Sequence, residues 1–247
     1  MKVSLITVTF NSAKTLRTTL QSVANQTWND IEHIIIDGDS ADNTLSVVND
    51  FGHVSKVISE KDHGIYDAMN KGITNSSGDI IGFLNSDDWL YDKNIIEEIA
   101  KQFINSDIDA VYGDLEFVKN EEDMNPKRVW VSEDFKDNLF KNGWVPPHPT
   151  FYTKSEIFNK YGVFDAKLKF AADFDIMCRF ISKHKIKTKY MPGKKVKMRL
   201  GGATTKNIKN IILGNIEIYN SLKKNNVRIS NFFFFKKILL KLTQFKL

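Results

Sequence analysis

A parallel α/β sheet with helices on both faces is the fold class this sequence predicts. Two observations predict it. Short runs of β-branched and aliphatic residues alternate four times with stretches whose apolar residues recur at helical spacing. A polar cluster then follows each strand-like run, which suits the ligand-binding rim at the carboxyl ends of strands in such a sheet.

The elements follow in order. Residues 3–10 read as a first strand. Ala13, Leu16, Leu20 and Val23 then mark a helix face, with Asn11 or Ser12 as its cap. A second strand at 31–36 ends in the turn-forming stretch DGDSADNT (37–44), and 45–51 reads as a short helix. A third strand covers 54–59, and Ile65, Ala68, Met69, Gly72 and Ile73 line the next helix. The fourth strand, 80–84, leads through Asn85, Ser86, Asp87 and Asp88 to a helix marked by Ile95, Ile96, Ile99, Ala100 and Phe103, with Asp92 as its expected cap. The second half is less regular. Strands are expected at 110–118, 128–131, 187–191 and 195–200, and helices at 173–184 and 207–224. The stretch WVPPHPT (144–150) excludes helix, because its three prolines remove donors and hold their neighbours extended. The expected organisation is one domain over 1–206 and a helical basic extension over 207–247.

Charge is unevenly spread. Residues 183–247 carry 17 Lys plus Arg and one acid, Glu217, a net of +16; residues 1–182 carry a net of −11. The end of the chain, NFFFFKKILLKLTQFKL (231–247), forms an amphipathic helix pattern. Phe232, Phe234, Phe235, Ile238, Leu239, Leu242 and Phe245 lie on one arc, opposite Lys236, Lys237 and Lys241. Such a helix suits an anionic membrane surface, apolar face down; a helix docked on the body has the same pattern. No run reaches the roughly 18–20 apolar residues of a membrane span. The N-terminus lacks signal-peptide features, and the one cysteine, Cys178, fits a reducing compartment. The expected location is cytoplasmic and peripheral on the inner face of the cell membrane.

Several chemistries are excluded. There is no GxGxxG and no GxxxxGK[ST]. The five histidines show no metal spacing, and there is no Ser-His-Asp context. The adjacent carboxylates Asp87 and Asp88 at a strand end suit a hard divalent cation, or else cap the following helix. Asp37 and Asp39 suit contacts to a nucleobase or ribose, or else an Asx turn.

Five motifs occur in order: TVTFN (7–11), IIDGDSADNT (35–44), DHGIYDAMNKG (62–72), GFLNSDD (82–88) and ADFDIMCR (172–179). Together, over residues 1–205, they resemble family 2 glycosyltransferases of the GT-A fold, in particular bacterial enzymes of exopolysaccharide, capsule and O-antigen assembly. The resemblance implies an inverting, metal-dependent transfer from a nucleotide-diphosphate sugar to a saccharide or lipid-linked saccharide. It implies that Asp88 holds Mn²⁺ or Mg²⁺ and that Thr9, Asn11, Asp37, Asp39, Asp67, Asn70 and Asp87 face the donor. The family's usual Asp-Asp-Gly-Ser is here Asp-Gly-Asp-Ser, which leaves open whether Asp37 or Asp39 holds the nucleotide. Asp173 matches the general base, and His148 an acceptor-side loop. RLGGATT (199–205) resembles a loop that closes over the diphosphate. The competing readings are a sugar-nucleotide nucleotidyltransferase, which needs a glycine-rich loop where VTFNSAK stands, and a nucleic-acid or anionic-surface binder. The second predicts aromatics interleaved with basic residues, whereas the tail clusters them as FFFF, so no nucleic-acid partner is expected.

Overall fold

The structure, a computed structural model, describes every residue of the chain except 124, 125, 127, 138, 202–206 and 245–247. The first half is built of β1 (Val3–Thr9), α1 (Leu16–Ala24), β2 (Ile31–Asp37), α2 (Thr44–Asn49), β3 (Val54–Ser59), α3 (Ile65–Asn75), β4 (Ile80–Phe83), the two-residue β5 (Trp89–Leu90) and α4 (Ile95–Asn105). The second half contains β6 (Ala110–Val118), β7 (Arg128–Trp130), β8 (Tyr152–Lys154), α5 (Ser155–Tyr161), α6 (Ala172–Met177), β9 (Thr188–Arg199), α7 (Ile208–Lys224) and α8 (Phe233–Leu242).

One sheet runs in the order β3-β2-β1-β4-β8-β6-β9-β5, with β7 also paired to β6. The β3-β2-β1-β4 part is wholly parallel. From β1 the chain builds outward to β2 and β3, then returns to place β4 on the other side. That reversal opens a crevice at the carboxyl ends of β1 and β4. Beyond β4 the sheet is mixed: β8 is antiparallel to both β4 and β6, and β6 is parallel to β9.

Period-2 alternation explains why both faces are covered. Ile6 and Val8 point to a core shared with Ala68, Met69 and Ile73 of α3 and with α6. Val3 and Leu5 point the other way, to Ile95, Ile96, Ile99 and Phe103 of α4. Close packing is enforced at Gly82, where a Cβ would lie 2.1 Å from the Tyr152 ring.

Some expected boundaries moved. α1 begins at Leu16 rather than near Asn11, because residues 12–15 form a turn in which Leu16 N–H donates to the Ser12 carbonyl. Asp92 accepts from Asn94 N–H at 2.7 Å, and Asn94 rather than Asp92 is the cap of α4. The strands expected at 187–191 and 195–200 are one strand, β9, with a pairing irregularity opposite Gly113 and Asp114. The helix expected at 173–184 is α6 continued by a π turn, Cys178–Lys183.

The C-terminal helices are built onto the body. Leu222 and Phe233 are buried in the same core as α3 and α6. No helix among the described residues is long and apolar enough to cross a membrane.

Candidate functional site

The crevice is lined by strand ends, as the chain pattern requires. Thr9 closes β1 and sits in register with Asp37 at the end of β2. The Thr9 hydroxyl is buried and has no hydrogen-bond partner among the described residues. Asp37 is fully buried, and its carboxylate accepts from Ser40 N–H (3.0 Å), Ser40 Oγ (2.5 Å) and Ser59 Oγ (2.7 Å). Asp39 stands exposed with a left-handed backbone, φ 64°. Asn11, also left-handed, ties this loop to β1: its N–H donates to Ser40 Oγ, and Ala41 N–H donates to its Oδ1.

Asp62, which opens the third motif and follows β3, reaches this rim. A Cβ at Gly38 would lie 2.6 Å from Asp62 Oδ2, so the glycine is what admits the carboxylate. Asp67, in the first turn of α3, accepts from His63 N–H at 3.0 Å. Asn70 has both ends of its amide engaged: Nδ2 donates to the Phe164 carbonyl and Oδ1 accepts from Phe164 N–H.

The carboxylate pair follows β4. Asp88 is fully buried; its Oδ2 accepts from Asn85 Nδ2 (2.9 Å) and its Oδ1 from Arg199 N–H (3.1 Å). Burial, then the neighbouring charge of Asp87, pushes Asp88 up to about 8. Burial also raises Asp87, against the pull of Arg199. Arg199 stacks its guanidinium over Trp89, 5.4 Å from the ring centre. Leu200 and Gly201 follow it, and the rest of the glycine-threonine loop, 202–205, lies outside the described residues. No group of three His, Cys, Asp or Glu converges on one point among the described residues. Asp87 and Asp88 are the carboxylates at this strand end, and such a pair fits a hard cation that completes its shell with phosphate and water oxygens. The burial of Asp88 beside the charge of Asp87 is the observation that favours a cation there.

Asp173 lies in the first turn of α6. Its Oδ1 accepts from Tyr66 Oη (3.2 Å) and Phe174 N–H (2.8 Å). Burial and the Asp173 charge hold Tyr66 well above the ordinary tyrosine range, so the phenol keeps its proton and donates. His148 is buried. It stacks on Phe83, the last residue of β4, at 5.5 Å, and meets Phe164 edge-on. Burial pushes its ring below the usual histidine range against an opposing pull from Asp173. Thus β4 links the two halves of the site: Phe83 leads to His148 and Asp173, and Asn85 leads to Asp88.

The backbone leading to α6 is clamped from α7. Glu217 accepts from the N–H groups of Lys169 (3.0 Å), Phe170 (2.8 Å) and Ala171 (3.0 Å). Sequence reasoning missed this residue, although it is the only acid after residue 182.

Known proteins share this fold. The sequence profile of Glycosyl transferase family 2 matches residues 4–168. A PGL/p-HBAD biosynthesis glycosyltransferase of Mycobacterium bovis is 31% identical over 195 residues, covering 76% of this chain and 73% of that protein. An uncharacterized glycosyltransferase of Rickettsia typhi is 27% identical, covering 72% and 58%. Among solved structures, Staphylococcus aureus TarS 1-349 in complex with UDP-GlcNAc superposes with a TM-score of 0.68 at 17% identity, covering 97% of this chain and 70% of that one. The mannosyltransferase PcManGT from Pyrobaculum calidifontis, in complex with GDP-Man and Mn²⁺, gives a TM-score of 0.62 at 18% identity, covering 82% and 58%. The structures establish the fold, and the profile and the mycobacterial relative establish the kinship: this chain is a glycosyltransferase and belongs to glycosyl transferase family 2.

Proposed function

We propose that the protein transfers a sugar, with inversion, from a nucleotide-diphosphate sugar to a hydroxyl of a saccharide acceptor, and that the acceptor is lipid-linked. The observation that carries this reading is the buried Asp88 beside the half-buried Asp87, on the same strand end that leads, through Phe83 and His148, to Asp173. Thr9, Asn11, Asp37, Asp39 and Asp67 would hold the nucleotide end of the donor along the neighbouring strand ends, and Asn70 would brace the turn at Phe164 beside it. Asp88, with Asp87 through a water, would hold Mn²⁺ or Mg²⁺, which when bound neutralises charge on the leaving diphosphate.

Asp173 would act as general base. Its Oδ1 is engaged by Tyr66 and Phe174, which aims Oδ2 for the acceptor hydroxyl. As the acceptor oxygen bonds to the anomeric carbon, the bond to the diphosphate breaks and the proton passes to Asp173. His148, neutral and packed between Phe83 and Phe164, would shape the acceptor side.

The setting in surface-polysaccharide or glycolipid assembly, and a peripheral position on the inner membrane face, belong to the same proposal. What supports the membrane part is the exposed apolar surface of α8, where Phe235, Ile238 and Leu242 are 61%, 58% and 60% exposed. The test is thermal unfolding against UDP, GDP, TDP and CDP, each with and without Mn²⁺. A metal-dependent rise with one nucleotide supports the site and names the base; no rise with any of them refutes it.

A further inference from the structure

α8 is docked the opposite way round from an ordinary surface helix. Phe233, Lys236 and Lys237 recur at spacings of three and four and form the face turned to the body, with Leu240 at its exposed edge. Phe235, Ile238, Leu239 and Leu242 form the face turned to solvent. The helix thus presents lysines inward and apolar groups outward, an arrangement that water alone does not favour.

Lys237, with Lys241 one turn further on, lines a cavity of about 220 Å³ between α8 and β7. Its walls include Arg128, Trp130, Ser132, Trp144, Lys237 and Lys241. Lys241 stands exposed, and Lys237 donates to Asn215 Oδ1 at 2.7 Å. Neither lysine has a carboxylate within ion-pair distance among the described residues. The one acid on the wall, Glu133, pairs with Lys136 at 3.3 Å. Two buried polar atoms of the same walls, Trp144 Nε1 and Ser132 Oγ, have no hydrogen-bond partner among the described residues. The cations repel one another: burial and Lys241 push Lys237 down to about 8, and burial and Arg128 push Lys241 below the usual lysine range. Gly143, at φ 90°, lets the helix close to this distance, because a Cβ there would lie 2.7 Å from Lys237 Cβ. The C-terminal end of the helix is strapped to β7 by Val129 N–H donating to the Gln244 carbonyl.

The cavity lies beside the proposed chemistry. Lys237 is close enough to Asp173 for the two charges to interact. Phe140, under α8, meets both Trp144 and Phe174 edge-on. At about 220 Å³ it is smaller than the roughly 300–1,000 Å³ of sites that enclose a whole ligand, so it suits one group of a larger molecule.

We propose that this cavity binds the phosphate of a lipid-linked acceptor, with the lipid chain leaving past Leu240 onto the outward apolar face of α8. The inference rests on the glycosyltransferase reading above and adds the acceptor's anchoring group. A phosphate draws on several cations at once, which a neutral saccharide does not. The outward apolar side chains then meet the chain or the bilayer it leaves, and the two oddities of the helix have one cause.

Geranyl phosphate is the probe, titrated by calorimetry into the full-length protein with EDTA present, so that no metal assists phosphate binding at Asp88. The expected result is saturable binding that weakens at least tenfold in Lys241→Gln, at the exposed edge of the cavity, and in Lys237→Met, which keeps the buried stem. Geraniol is expected not to bind, and inorganic phosphate to bind at least tenfold more weakly than geranyl phosphate. Equal binding by wild type and Lys241→Gln overturns the proposal, as does binding of geraniol equal to that of its phosphate. Inorganic phosphate binding as tightly as geranyl phosphate removes the lipid-linked part. A metal-dependent nucleotide shift alongside any of these negative outcomes leaves the donor site standing and dismisses only the cavity.

Discussion

Replacing Asp88 by Asn should make the metal-free protein more stable while abolishing its metal-dependent response to donor. An ordinary aspartate titrates near 3.8, and burial, then the charge of Asp87, pushes Asp88 up to about 8. Below pH 3.8 the folded and unfolded chains both hold the proton, and Asp88 costs nothing. As pH rises from there toward 8 the unfolded chain releases the proton and the folded chain keeps it, so stability falls across that window. At about 1.4 kcal/mol per pH unit the cost at pH 7 is at most roughly 4 kcal/mol, and relaxation around the site reduces it. Asn does not titrate. Its side-chain oxygen can keep the bond from Arg199 N–H, and its amide is satisfied if the Asn85 side chain turns its oxygen toward it. Urea unfolding in EDTA should therefore show the variant more stable by about 1–4 kcal/mol at pH 7, with the gap closing near pH 4. With Mn²⁺ and the preferred nucleotide, only wild type should gain stability. A variant less stable than wild type at pH 7, or a gap that ignores pH, would refute the reasoning.

The remaining predictions are simpler. Asp173→Asn should retain nucleotide binding and lose transfer by roughly 10²–10⁴-fold, measured by nucleoside-diphosphate release; near wild-type turnover would mean that another group takes the proton. Glu32 is pushed up by burial, but bonds from Ser4 and Ser77 and the charge of Lys2 outweigh this and hold it at about 2. Its stabilisation is present above 4.5 and lost as pH falls from 4.5 through 2, so Glu32→Gln should cost about 1–3 kcal/mol at pH 7 and less at pH 3 in urea melts. Gly82→Ala should destabilise by about 1–3 kcal/mol or more, because its methyl meets the Tyr152 ring; Tyr152→Leu in the same chain should recover part of the loss in thermal denaturation.

The alternation of β1 to α4 was legible because its signal is local: β-branched runs, helical spacing and turn residues lie within one window of sequence. The polar rim at Thr9, Asp37 and Asp88 followed from the same logic, since strand ends in a parallel sheet share one edge. What escaped was carried by long-range contacts. The insertion of β8 between β4 and β6 pairs segments some 40 to 70 residues apart, and three residues of strand leave little periodic trace. Arg199 reaches Asp88 across 111 residues through a backbone N–H, which no residue type announces. The apolar arc of the last helix was readable, but the face it turns to the body depends on Gly143 and the Phe140 turn, which the helix pattern does not contain.

The three amides held by Glu217 bear on how acceptor choice could be exchanged between relatives. They make the start of α6, and with it Asp173, a tenant of α7. A chimera that swaps the C-terminal helices for those of another glycosyltransferase changes the footing of the proposed base unless a carboxylate returns at the same place. The exchangeable module is therefore the final helices together with the 169–173 segment they grip, and a junction cut between them would separate a lock from its key.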